Sequence, residues 1–300
     1  MLPLKFLSIL AAIALVAGLT VAQSGKGAAA GRRTLTLNVI VHAPKDVEVN
    51  KQMFDLYDQG IVQEVENFKP VETGSRIVLL VDNTSNLKAE AVTLQKAALA
   101  VIDELYQDDQ MMVVGYNESA EIIQDTTGEL AKLQISAGKF IRKGFPHLFD
   151  ALVAVSDALS HQSQTGAEKR AIILISDGYD SESQVKFGQA MDIIQDSNLV
   201  IYALQVQDRT HGALLRDKPK PPAVLEQLTV GTGGAIFPLD KAAEAAKTIA
   251  DDLRNNWYSL TYTPTGVNTI NSRRLLIVSH DKNVELRTKG SHPGTYRALH

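Results

Sequence analysis

The hydrophobic rhythm of the chain changes twice. From Thr34, the text "TLTLNVIVHAP" sets Leu35, Leu37, Val39 and Val41 against Thr34, Thr36 and Asn38, the period-two alternation of a half-buried strand. "FDLYDQGIVQEV" follows as two alternating runs about Asp58-Gln59-Gly60, a hairpin signal, so residues 34–72 predict a small β segment. At Ser75 the pattern turns to strands alternating with helices. "IVLLV" (77–81) and "AIILISDG" (171–178) have the continuous apolar character of buried strands. "MMVVGY" (111–116) and "LVIYALQV" (199–206) extend the set, and "AEIIQD" (120–125) fits a strand lying antiparallel beside 111–116.

Helical spacing fills the intervals. "KAEAVTLQKAALAVIDELY" places Val92, Leu99, Ile102 and Leu105 near one face, and Leu148, Leu152, Val155 and Leu159 form a stripe over Leu148–His161. Further helices are predicted over Glu129–Lys143, 184–196, 222–229 and 240–254, with a short strand at 235–237. Parallel neighbours need crossover connections, so residues 75–254 predict an α/β domain: a central, mostly parallel sheet with helices on both faces. After Asn256 the pattern is β again ("WYSLTYTP", "RRLLIVSH", "NVELRTK"), and residues 255–300 are expected to pack against 34–72 as a β appendage. Residues 207–221 read as an exposed loop insertion and 160–170 as a polar connector.

The N-terminus changes the expected location. Lys5 precedes an apolar run from Phe6 to about Ala22, and Thr20 and Ala22 supply the small residues a signal peptidase needs before Gln23. Residues 1–22 are read as a signal peptide and 23–33 as a flexible linker, which sends the chain to a bacterial periplasm or outside the cell; an uncleaved anchor is the alternative. With no cysteine, thiol chemistry, thiolate zinc sites and lipid anchoring at a cysteine are excluded. A hydrophobic content of 45% suits an ordinary globular core, and a net charge of −4 with scattered Lys and Arg lacks the basic footprint of nucleic-acid binders.

The chemistry concentrates in "RIVLLVDNTSN", where a buried strand runs into Asp82, Thr84 and Asn86 at every second position. Oxygen side chains so spaced, in a turn entering a helix, can converge on one hard cation. Asp177 closes the second buried strand and lies nearby if the two strands are neighbours. The plainer reading is that Asp82 caps a helix and Asp177 bonds turn amides. The seven histidines show no metal-ligand spacing, and "GTGG" (231–234) precedes a strand rather than a helix, which disfavours a phosphate cradle. Trp257 and Tyr258 read as β packing.

"LLVDNTSN", "LFDALVAVSDAL" and "ILISDGYDS", in that order, resemble the signatures of von Willebrand factor A (VWFA) domains, and the flanking β segments are similar to those of exported VWFA-related proteins of Acidobacteria. The resemblance covers residues 34–298. It implies a Rossmann-like fold and a metal-ion-dependent adhesion site holding Mg²⁺ (or Ca²⁺ or Mn²⁺) through Asp82, Thr84, Asn86 and Asp177. Pro146 stands where relatives carry a ligating threonine, so the site is degenerate, and His147 beside it is a poor match for Mg²⁺.

By the same resemblance the function is non-catalytic binding of another protein, an acidic side chain of which completes the metal shell. The contacting loops would include Asn83, Ser85, Lys88, Pro146, His147, Tyr179 and Asp180. Two alternatives stand beside it. One is a Mg²⁺-dependent hydrolase or phosphotransferase with Asp82 as nucleophile, against which Thr84 occupies the place of the usual second acid. The other is a metal-free structural scaffold.

Overall fold

A computed structural model describes residues 33–161, 169–213 and 218–294. The expected leader and nearly all of the linker lie outside the described residues, as do 162–168 of the polar connector, 214–217 of the loop expected at 207–221, and 295–300. The N-terminal segment gives β1 (Leu35–His42), β2 (Phe54–Asp58), β3 (Ile61–Gln63) and β4 (Val65–Pro70). The alternating portion gives β5 (Ser75–Asp82), α1 (Ala91–Asp103), β6 (Gln110–Tyr116), β7 (Ala120–Thr127), α2 (Leu130–Ser136) and α3 (Leu148–His161). It continues with β8 (Lys169–Ser176), α4 (Phe187–Asp196), β9 (Val200–Gln205), α5 (Pro221–Val230), β10 (Ile236–Pro238) and α6 (Ala242–Asn255). The C-terminal segment adds β11 (Trp257–Tyr262), β12 (Arg273–Ser279), β13 (Glu285–Thr288) and β14 (Ser291–His292).

The central sheet has six strands in the order β10-β9-β8-β5-β6-β7, parallel except for the β6–β7 pair. Odd positions of β5 (Ile77, Leu79, Val81) pack with α1 and α6, and even ones (Val78, Leu80) with α3, α4 and α5. Both faces are therefore dry, which is why the strand reads as an unbroken apolar run; each such Leu or Ile contributes about 1.5–3 kcal/mol by burial. The strand order reverses between β5 and β8. The helix after β5 covers one face and the helix after β8 the other, so the connections part at this point and leave a crevice at the carboxyl ends of both strands.

The terminal segments do pack together, as two sheets rather than one: β13-β1-β11-β4 and β14-β12-β2-β3. They enclose Leu37, Val39, Val41, Phe54, Leu56, Leu260, Tyr262 and Leu275. Gln59 and Gly60, at φ 51° and 78°, make the two-residue turn of the β2–β3 hairpin. β1 keeps the predicted alternation, with Leu37, Val39 and Val41 buried and Thr36, Asn38 and His42 part-exposed, but its second face is used as well. Ile40 and Trp257 on the opposite face join the core beneath α1 and α6, and the polar positions dock too: Asn38 donates to the Asn198 carbonyl at 2.7 Å, and Asn198 to that of Thr36 at 3.0 Å.

Two helices depart from expectation. The helix expected over Glu129–Lys143 stops at Ser136, where Gly138 and Lys139 bond three residues back and the chain leaves toward the loop after β5. In α1 the buried stripe is Leu94, Ala97, Ala98, Val101 and Ile102, and Val92 is 49% exposed. Small Ala97 and Ala98 let α1 approach α6, itself buried through Ala245, Ala246 and Ala250, so close packing and not maximal side-chain size selects the face.

Candidate functional site

Asp82 ends β5 and Asp177 follows β8, and because those strands are hydrogen-bonded neighbours both carboxylates arrive at one rim, fully buried. Thr84 folds back on Asp82: its amide donates to Oδ1 at 3.1 Å and its hydroxyl at 2.5 Å. Tyr116, at the end of β6, donates to Asp82 Oδ2 at 3.2 Å and shares a 2.8 Å bond with Ser176. Burial, and after it the Asp82 charge, pushes Tyr116 well above its ordinary range, so it remains a neutral donor. The Tyr179 amide donates to Asp177 Oδ1 at 3.0 Å. Gly178 between them has φ 84°, and a Cβ there would lie 2.2 Å from the Pro221 carbonyl oxygen, so the start of α5 demands glycine.

The cation facing these oxygens is Arg209, which sequence reasoning placed in an exposed loop. Its Nε donates to Asp177 Oδ2 at 2.7 Å. Nη2 donates to Asp177 Oδ1 at 2.9 Å and to Asp82 Oδ2, and Nη1 to Thr84 Oγ1 at 2.9 Å and Asn86 Oδ1 at 3.1 Å. Those bonds use all five N–H donors of a guanidinium. The Arg209 amide adds a bond to Asp177 Oδ2 at 3.0 Å, and its guanidinium carbon lies 5.3 Å from the centre of the Tyr179 ring. The side chain is 5% exposed. The loop turns inward because β9 neighbours β8, which brings its connection to the same rim. Asp208 then fixes the turn by accepting from the Thr210 amide and hydroxyl, each at 2.7 Å, and from the Gly212 amide at 3.0 Å.

Electrostatics follow from this packing. Burial is the largest influence on Asp82 and raises its pKa, outweighing the Arg209 charge and the Thr84 bonds that pull it down. Burial alone would lower Arg209, but the bonds to Asp177 and the charges of Asp82 and Asp177 raise it, so it stays cationic. Asp82, Thr84, Asn86 and Asp177 thus converge as the resemblance implies. Each meets a guanidinium N–H where that resemblance would put Mg²⁺. This donor set, neutral at Thr84 and Asn86 and planar in its spacing, fits a guanidinium.

The remaining rim residues divide between mortar and surface. Asn83, Pro146 and Asp180 are buried. The Asn83 carbonyl accepts from the Lys143 amide at 3.0 Å, that of Pro146 from the Ser181 amide at 2.8 Å, and Asp180 accepts from Ser183 and from the Phe149 amide that opens α3. Ser85, Asn86 and Lys88 are exposed, while His147 and Tyr179 are partly so, His147 lying 3.9 Å from Asp150. Arg142, also missed from sequence, fastens the loop after β5 by donating to the carbonyls of Thr84, Ser85, Leu87 and Ala89.

Residues 77–179 match the family model of the von Willebrand factor type A domain. No curated protein matches the chain. Similar solved structures include an aerotolerance-related membrane protein from Bacteroides fragilis (14% identity, 60% of this chain and 98% of that one, TM-score 0.47). A von Willebrand factor type A protein from Catenulispora acidiphila is similar at 14% identity over 82% of this chain and 74% of its own, with TM-score 0.47. The corresponding domain of a type V pilus tip protein from Porphyromonas gingivalis is similar at 16% identity over 39% and 43%, with TM-score 0.33.

Proposed function

We propose that this chain, which carries a von Willebrand factor A-type fold, is an exported, non-catalytic protein-binding module that meets its partner through the rim around Asp82 and Asp177. The observation that carries this reading is a cross-fastened platform with apolar side chains on it. Arg142 ties residues 139–147 to the loop after β5, Ser181 ties Pro146 to the loop after β8, and Gln207 bridges to Lys88. On that platform Ile141 is 73% and Phe145 59% exposed, beside Ser85, Asn86 and Lys88. A rigid surface spares the ordering cost of association, and an aromatic anchor is the commonest centre of an interface.

The hydrolase alternative finds less support. Asp82 is fully buried, with Oδ1 engaged by Thr84 and Oδ2 by Tyr116 and Arg209, which leaves a nucleophile no approach to substrate. Nor does this reading require an acidic partner residue, since the guanidinium has no donor left for one. The test is pull-down from the exported fraction with three chains: wild type, Phe145→Glu with Ile141→Glu, and Leu276→Glu on the far β sandwich. A partner retained by the first and third and lost by the second supports the rim as the contact surface. A partner lost only with Leu276→Glu moves the function to the sandwich and ends this reading.

A further inference from the structure

We infer that Arg209 is the resident cation of the rim site: a tethered guanidinium stands in for the divalent ion of an adhesion-type site and keeps that ion out. The inference concerns the chain alone and stands whether or not the rim binds a protein. Its first ground is stoichiometry. A guanidinium has five N–H donors, and Arg209 spends them on five oxygen contacts distributed over Asp82, Thr84, Asn86 and Asp177, the same side chains that would ligate an ion. No oxygen of the set is left facing an empty position.

A second ground is the way the arginine is delivered. Its own amide bonds Asp177, Asp208 closes the turn around it, and Tyr179 covers the guanidinium, so the side chain is held by backbone and ring as well as by charge. An arginine that entered only for want of a metal would not need a turn built to present it. The third ground is the ligand set. Pro146 supplies no side-chain oxygen, which removes one ligand from a dication, while the oxygens that remain suit a planar fork of hydrogen bonds. A monovalent guanidinium also costs far less dehydration than Mg²⁺, which releases its water reluctantly.

The proposal is tested with Mn²⁺ as probe, its binding followed by electron paramagnetic resonance, on the wild-type chain and on Arg209→Ala. The variant is expected to bind Mn²⁺ at least about tenfold more tightly than wild type, and adding Asp177→Asn to it should abolish the gain. Equal Mn²⁺ affinity of wild type and Arg209→Ala, at whatever value, overturns the proposal. A second measurement needs no variant, in case Arg209→Ala does not fold: the Arg209 Nε–H resonance of the wild-type chain should keep its position and slow exchange through millimolar Mg²⁺. Its shift or disappearance on Mg²⁺ addition, reversed by EDTA, would show the ion displacing the side chain and would equally overturn the proposal.

Discussion

Two ion clusters, each built on buried carboxylate, sit at opposite ends of the central strands and resolve the same problem differently. At the carboxyl rim, two carboxylates, Asp82 and Asp177, share the single guanidinium of Arg209. At the other end one buried carboxylate, Asp252 of α6, meets two basic groups: His42 Nε2 at 2.5 Å from Oδ1 and Arg287 at 2.7 Å from Oδ2, with the Tyr202 hydroxyl at 3.0 Å, and Arg287 also reaches the exposed Glu285 at 3.4 Å. The base cluster joins β1, β9, β13 and α6, so it ties the β sandwich to the helix-flanked sheet. The rim cluster joins three loops and the end of one strand. The contrast teaches that charge serves cohesion between elements at the base, where one buried carboxylate gathers bases from two strands, and gathers loops at the rim, where the cation is limiting. In both places desolvation opposes the pair, so the whole cluster adds little while the loss of one member costs much.

The largest expected effect follows from that asymmetry. Arg209→Met preserves much of the side-chain volume but leaves two carboxylates buried and unpaired, and urea denaturation should show a loss of about 3–5 kcal/mol. Adding Asp82→Asn and Asp177→Asn to the same chain should recover most of it, because the repelling charges go with their partner. If the triple variant is no more stable than Arg209→Met, the cost lies in lost packing and the account of the rim by charge fails. Arg287→Met should be milder, about 2 kcal/mol by the same measurement: its side chain is 17% exposed, and Asp252 keeps His42 and Tyr202. Equal losses at the two ends would erase the distinction drawn between them.

What the text of the chain revealed, and what it hid, tracks how far apart the interacting residues lie. The runs before Asp82 and Asp177 were legible because buried parallel strands have a composition of their own, whereas their adjacency was a condition that only the sheet order meets. Thr84 and Asn86 were legible by spacing. Arg209 was not, since the loop after β9 has no periodicity and its charge partners lie 32 and 127 residues away. A usable signal existed: the connection after a strand that neighbours β8 must pass the rim, and "QDRTHG" puts a basic residue there. Arg142 was hidden by a helical pattern read through to Lys143, past the point where backbone bonds to Ser136 end the helix. Asp252 and His42 stand 210 residues apart in separate elements, with no local pattern to couple them.

The smallest effect separates the clusters by pH. His42 has its pKa raised from 6.5 because Asp252 accepts its hydrogen bond, an influence larger than the burial that opposes it. A raised histidine binds its proton more tightly folded than unfolded, so its contribution to stability is complete below pH 6.5 and is lost as pH rises through the folded value. Asp252 is shifted the other way: burial opposes ionisation, but the bond from His42 and the Arg287 charge outweigh it and hold the carboxylate ionised, so Asp252 stays charged throughout this window. Arg209 is held cationic well above it. The difference in melting temperature between the wild-type chain and His42→Gln should therefore shrink from below pH 6.5 into the mildly alkaline range, and taking that difference removes His292 and Lys289, whose pKa values burial lowers and which act in the opposite sense in both chains. Replacing His42 by Gln in the Arg209→Met chain should give the same pH-dependent difference at lower temperature, because the histidine acts only at the base. A difference that does not change with pH would place the titration assigned to His42 elsewhere in the molecule.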